Sequence, residues 1–96
     1  MLSIERKKQM VESLKKDYIV LTEIFLEVAA DARADIAMLE LEKVIEDASR
    51  ERLEIRYLED EYMSFVHTDD PVKAVDTIER LYEIAEKYDS LRMDKL

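Results

Sequence analysis

The chain contains no glycine and no asparagine, and its only proline is Pro71. Glycine and asparagine are the residues that most readily adopt positive φ, which the tight turns of β-hairpins require. Hairpins therefore have almost no support in this sequence. We predict an all-α fold, an antiparallel helical hairpin plus a third helix, arranged as a three-helix bundle or a coiled-coil-like assembly within one domain of 96 residues.

The composition is that of an ordered, acidic helical protein. Charged residues make up 41% of the chain and apolar residues 48%, a balance typical of long helices and unlike that of disordered chains. The net charge of −9 disfavours nucleic acid as a partner. Residues 1–16 nevertheless carry five basic and two acidic side chains, so a weak nucleic-acid contact through this basic segment is a third functional hypothesis. Its cations are Arg6, Lys7, Lys8, Lys15 and Lys16.

Other features of the sequence bear on the compartment. The absence of cysteine excludes disulfides, thiol nucleophiles and zinc–thiolate sites. The most apolar stretch, residues 18–30, is too short to span a bilayer and contains Glu23 and Glu27. We therefore expect a cytoplasmic protein without a membrane partner. The lack of asparagine beside many Glu, Lys and Arg residues is typical of thermophilic proteins, although five methionines point mildly the other way.

Two apolar stripes with heptad spacing predict the first two helices. The first comprises Val11, Leu14, Tyr18, Leu21, Phe25, Val28 and Ala32, and predicts helix 1 at about residues 4–31. The second comprises Ala37, Leu41, Val44, Ala48, Glu51, Ile55, Leu58, Tyr62 and Phe65, and predicts helix 2 at about residues 35–67. Its phase differs by two residues, which turns the apolar face by about 200°. This change predicts a chain reversal at residues 30–35, with one continuous long helix as the alternative.

A reversal at residues 30–35 would bring Lys15 close to Glu51, the one charged residue in a stripe. We therefore predict an ion pair between them that fixes the register of the helices. The alternative role for Glu51 is that of a buried catalytic base.

Residues 67–71, His-Thr-Asp-Asp-Pro, are the clearest helix boundary in the chain. Asp70 is suited to cap the first amides of a helix, and Pro71 is favoured at the first helical position because it needs no hydrogen-bond acceptor. They predict helix 3 at about residues 70–93.

Helix 1 has more apolar side chains than a single stripe uses. Ile19, Val20, Ile24 and Leu26 lie outside the stripe, so we predict that they form an interface. The favoured partner is a second copy of the chain in a homodimer, and another helical protein is the alternative.

No residue pattern indicates a catalytic centre, a cofactor or a metal site. The single histidine, His67, is a weak candidate for a metal ligand or pH-sensitive group, and its simpler role is that of a basic residue at a helix C-terminus. The Glu-x-x-His pairs of ferritin-like bundles are missing, and helix 1 lacks the inward cations of small helical chorismate mutases. The sequence thus favours an oligomeric protein–protein interaction or scaffolding module without catalytic activity. A carboxylate metal site or small-molecule enzyme formed between subunits is the alternative.

Overall fold

A computed structural model describes residues 17–95 and contains three helices in this range. They are α1 (Tyr18–Leu41), α2 (Ser49–His67) and α3 (Pro71–Lys95). Residues 17–95 contain no strand, so the predicted all-α three-helix fold is confirmed. The start of helix 1, predicted at residue 4, lies outside the described residues.

The three helices run up, down and up. Helix α3 packs along both other helices, whereas α1 and α2 approach each other less closely. Contacts between α1 and α2 join Thr22 to Tyr62 and Glu40 to Arg52, so these helices are antiparallel. Because Tyr18 contacts Asp69, just before α3, and Asp35 contacts Arg92, near its end, α1 and α3 are parallel.

The core face of α1 packs mainly against α3 and also contacts Tyr62 of α2. The Tyr62 ring stacks on Phe25, with the ring centroids 4.7 Å apart, and its hydroxyl lies 2.8 Å from the hydroxyl of Thr22. Burial raises the pKa of Tyr62 against the opposing effect of the Thr22 hydrogen bond. The buried residues of α1 are Leu21, Phe25, Val28, Ala29, Ala32, Asp35, Ile36 and Leu39. This set fixes which face of α1 points away from the bundle.

The predicted reversal at residues 30–35 is wrong, because α1 continues without a break to Leu41. The segment before residue 35 holds no helix breaker, and the buried stripe runs on through Ile36 and Leu39. Ala37 and Leu41, which the spacing predicts to lie in the second core stripe, are exposed. They belong to a different face of the same helix, and this produced the apparent change of phase. Helix α2 begins at Ser49 rather than near residue 35.

The true connection between the first two helices, residues 42–48, begins with a Schellman motif built on a lysine. Lys43 has φ of 62°, a left-handed conformation in which glycine is the preferred residue. Its N–H donates to the carbonyl of Glu40, and the N–H of Val44 donates to that of Leu39. The Glu40 carboxylate also accepts from the N–H of Ala48 and pairs with Arg52. The chain thus turns without glycine or proline.

The boundary between α2 and α3 confirms the sequence prediction. Asp70 accepts a hydrogen bond from the N–H of Lys73 at 3.1 Å, and α3 begins at Pro71. A second Schellman motif ends α2, with Asp69 at φ of 57°. The hydroxyl of Tyr18 donates to Asp69 at 2.7 Å and ties the start of α1 to this turn. Partial burial, this hydrogen bond and the nearby carboxylates raise the pKa of Tyr18 to about 12.

Candidate functional site

Helix α1 carries a second stripe on the face opposite the core, and its spacing follows the heptad from residue 19 to residue 37. We call it the outer stripe, and all of its members are exposed: Ile19, Glu23, Leu26, Ala30, Arg33, Ala37 and Leu41. The exposed fractions of Ile19, Leu26 and Leu41 are 75%, 57% and 83%. Soluble helices usually present charged or polar residues on this face. Here five of the seven positions are apolar, so the outer stripe is suited to contact another helix.

The four residues predicted to form an interface divide between two faces of α1. Ile19 and Leu26 lie in the outer stripe. Ile24 is half-buried and packs against the core, and Val20 is also half-buried. The extra apolar side chains of this helix therefore fall into two groups, one half-buried and one exposed to solvent.

Sequence reasoning missed the outer stripe, although its spacing was visible. The intervals from Ile19 through Glu23, Leu26, Ala30 and Arg33 alternate between four and three residues. A turn at residues 30–35 divides this pattern, and the heptad spacing then predicts a core position for Ala37. A single long helix from residue 18 to residue 41 would have revealed it.

A groove between α2 and α3 brings together acidic and basic side chains. Arg80 makes a two-pronged contact with Glu54, with distances of 2.5 Å from Nε and 2.9 Å from Nη2, and also contacts Glu83 at 2.8 Å. These hydrogen bonds raise the pKa of Arg80. Lys73 lies 5.7 Å from the centre of the Phe65 ring. The guanidinium in this groove is thus engaged by carboxylates of the same chain.

A second groove, between α1 and α3, is acidic. Asp31, Asp35, Glu86 and Asp89 line it together with Arg92. Nη1 of Arg92 donates to Oδ1 of Asp35 at 2.8 Å. Within residues 17–95, no three or more His, Cys, Asp or Glu side chains are grouped so that they could hold a metal ion. The metal hypothesis therefore requires ligands from a second subunit or from outside this range.

Glu51 contacts helix α3. Its carboxylate lies 3.2 Å from Nζ of Lys87 and accepts a hydrogen bond from Tyr88. Partial burial acts to raise the pKa of Glu51, but the hydrogen bonds from Lys87 and Tyr88 outweigh it and hold the pKa below its usual range. Burial and the bond to Glu51 raise the pKa of Tyr88 to about 12. The predicted partner of Glu51, Lys15, lies outside the described residues.

His67 and the basic N-terminal residues can be placed only in part. His67 is the last residue of α2 and is exposed, so its charged form would interact favourably with the helix C-terminus. Arg6, Lys7, Lys8, Lys15 and Lys16, proposed for the nucleic-acid contact, lie outside the described residues.

Comparison of the chain with protein-family models, with curated proteins and with solved structures gives no match. Between residues 17 and 95, no helix combines the length and the apolar character needed to cross a membrane.

Proposed function

We propose that this protein is a helical protein–protein interaction module that self-associates through the outer stripe of α1 and has no catalytic activity of its own. The observation that carries the proposal is the row of exposed apolar residues at heptad spacing on a helix whose opposite face is buried. Apolar side chains scattered over a surface need no explanation, whereas an aligned row indicates a contact surface.

The energetics of the outer stripe support association. Fully covering a side chain such as Leu26 or Ile19 contributes about 1.5–3 kcal/mol relative to exposure, and both are exposed in the single chain. In a two-fold dimer, both residues would be buried in each of the two chains, so each gain would occur twice. Several such gains are needed to offset the loss of translational and rotational freedom on association, which costs about 4–15 kcal/mol.

The grooves offer less support for an enzyme. A catalytic site usually holds a titratable group whose environment poises it for proton transfer or nucleophilic attack. Arg80 is paired with two glutamates, Asp35 is paired with Arg92, and Glu51 is held in its charged form by Lys87 and Tyr88. These pairs fit a role in joining helices.

The experiment is sedimentation equilibrium of the wild type and two matched variants. Leu26→Glu places a charge in the outer stripe, and Leu53→Glu places the same charge at a site of α2 that is 50% exposed. We expect a wild-type dimer at micromolar concentration, a monomeric Leu26→Glu and a dimeric Leu53→Glu, each with unchanged helicity by circular dichroism. A wild type that stays monomeric at high micromolar concentration would overturn the proposal.

A further inference from the structure

The outer stripe is self-complementary when two copies of α1 lie antiparallel. A two-fold axis beside residue 28 brings Leu26 opposite Ala30, Ile19 opposite Ala37, and Glu23 opposite Arg33, each pair occurring twice. Resting on the self-association proposed above, we infer that the partner is a second copy of this chain, docked in this register. In each facing pair, the a position of one helix meets the d position of the other, as in antiparallel coiled coils.

Size and charge both match in this arrangement. Ala30 and Ala37 leave room for the leucine and isoleucine that face them, so large and small side chains alternate along the contact. Glu23 and Arg33 are the only charged members of the outer stripe, and each meets its opposite charge. Like charges in register would cost stability, and this register avoids them within the outer stripe while leaving neither Glu23 nor Arg33 opposite an apolar residue.

Other arrangements of the same stripe lose this match. A parallel pair of helices would place Glu23 against Glu23 and Arg33 against Arg33. An antiparallel pair shifted by one heptad would place Glu23 against Leu26 in one direction, or Arg33 against Ala30 in the other. Charge complementarity therefore selects both the direction and the register.

Arg33 is able to make the contact between subunits while keeping its contact within the chain. Its Nη2 pairs with the Glu59 carboxylate of α2, and its side chain remains 44% exposed. A guanidinium has five N–H donors, so it can bind Glu59 of its own chain and the partner's Glu23 together. This places Glu59 beside the interface, where it orients Arg33.

Charge reversal tests the register. In a Glu59→Gln background, Glu23→Arg or Arg33→Glu alone puts like charges in two facing pairs, and we expect the dissociation constant to rise at least about tenfold. The double reversal should restore association, and mixing the two single variants should give a heterodimer. The matched control Glu61→Arg changes the net charge as Glu23→Arg does, at an exposed site of α2, and should not weaken the dimer.

Cysteine cross-linking tests the direction of the helices, since the chain has no cysteine of its own. In the proposed dimer, residue 19 faces residue 37 of the partner, whereas residues 19 and 19, or 37 and 37, are about 27 Å apart along the axis. A mixture of Ile19→Cys and Ala37→Cys chains should therefore form a disulfide-linked dimer on mild oxidation, and neither variant alone should do so.

The outcomes separate this inference from the proposed function. Cross-links within each single variant, or a double reversal that does not restore association, would overturn the antiparallel register. The proposed function would still stand if the dimer depended on Leu26. A monomeric wild type would overturn both the register and the proposed self-association. The outer stripe would then contact another protein or residues 1–16 of the same chain.

Discussion

Arg92, near the end of α3, donates from Nη1 to Oδ1 of Asp35 in the middle of α1 at 2.8 Å. The side chain of Asp35 is only 11% exposed, whereas that of Arg92 is 43% exposed. The two residues are separated by 57 positions, so the pair joins parallel helices that are not consecutive. The charge of Asp35 therefore depends on Arg92 for compensation, whereas water can still solvate the charge of Arg92.

This asymmetry predicts unequal effects of removing either partner. Arg92→Ala leaves a mostly buried carboxylate without its cation and should destabilise the fold by about 1–3 kcal/mol. Asp35→Ala leaves a half-exposed guanidinium that water can solvate, and should cost less than about 1 kcal/mol. Urea denaturation of both variants and the double variant measures the difference. Equal losses would show that Asp35 is effectively solvated.

The raised pKa of Tyr88 predicts a loss of stability in alkali. Burial and the Glu51 hydrogen bond favour the neutral phenol and raise its pKa from 10.0 to about 12. The stability that this shift contributes is therefore complete below pH 10 and is lost as the pH rises through 12, amounting to about 2 kcal/mol by pH 12. Tyr88→Phe should reduce the pH dependence of the free energy of unfolding between pH 10 and pH 12 by this amount. Identical slopes for the variant and the wild type would contradict the prediction.

The left-handed residue at the end of α1 is a site where glycine should stabilise the protein. A residue with a Cβ atom at positive φ costs about 1–2 kcal/mol, part of which the greater flexibility of unfolded glycine offsets. Lys43→Gly should therefore raise the free energy of unfolding by about 0.5–1 kcal/mol, and Lys43→Val should lower it. Thermal and urea denaturation give both values. If Lys43→Gly is destabilising, then Lys43 does not adopt the left-handed conformation in solution.

The continuity of α1 across residues 30–35 can be tested with proline. Ala34 is exposed, so replacing it affects the backbone more than the core. Ala34→Pro removes a hydrogen bond inside the helix and should cost about 3 kcal/mol or more, whereas Ala34→Gly should cost about 1 kcal/mol. Urea denaturation distinguishes the two. A chain reversal at this point would tolerate both substitutions with little loss.

Divalent metal should have little effect on thermal stability. His67 is exposed at the end of α2, and the carboxylates of residues 17–95 do not form a cluster suited to a metal ion. Millimolar Mg²⁺, Mn²⁺ or Zn²⁺, and treatment with a chelator, should leave the Tm nearly unchanged after correction with monovalent salt for screening of the −9 charge. A saturable rise specific to one metal and lost with His67→Ala would favour the enzyme hypothesis.

Local features of the sequence were enough to predict the helical class and one helix boundary. Without glycine or asparagine, tight hairpins had no suitable residues, and the Asp70–Pro71 pair marked the start of α3 through capping. Ile55, Leu58 and Tyr62, predicted in the second stripe, are buried in α2. The helical class and the start of α3 depend on contacts within a few residues, so both can be read from the sequence.

Tertiary packing decided where the chain turns and which face of α1 is free. Glu42 and Lys43 are good helix formers, yet the chain turns there because Leu39 and Ile45 pack in or against the core. The rotation of α1 about its own axis was decided in the same way, since α1 packs mainly against α3 and places Phe25 and Thr22 in contact with Tyr62 of α2. Heptad spacing alone allows either face of a helix to be the buried one. Only the positions of α2 and α3 determine that the stripe from Ile19 to Leu41 faces outward, where a second helix can reach it.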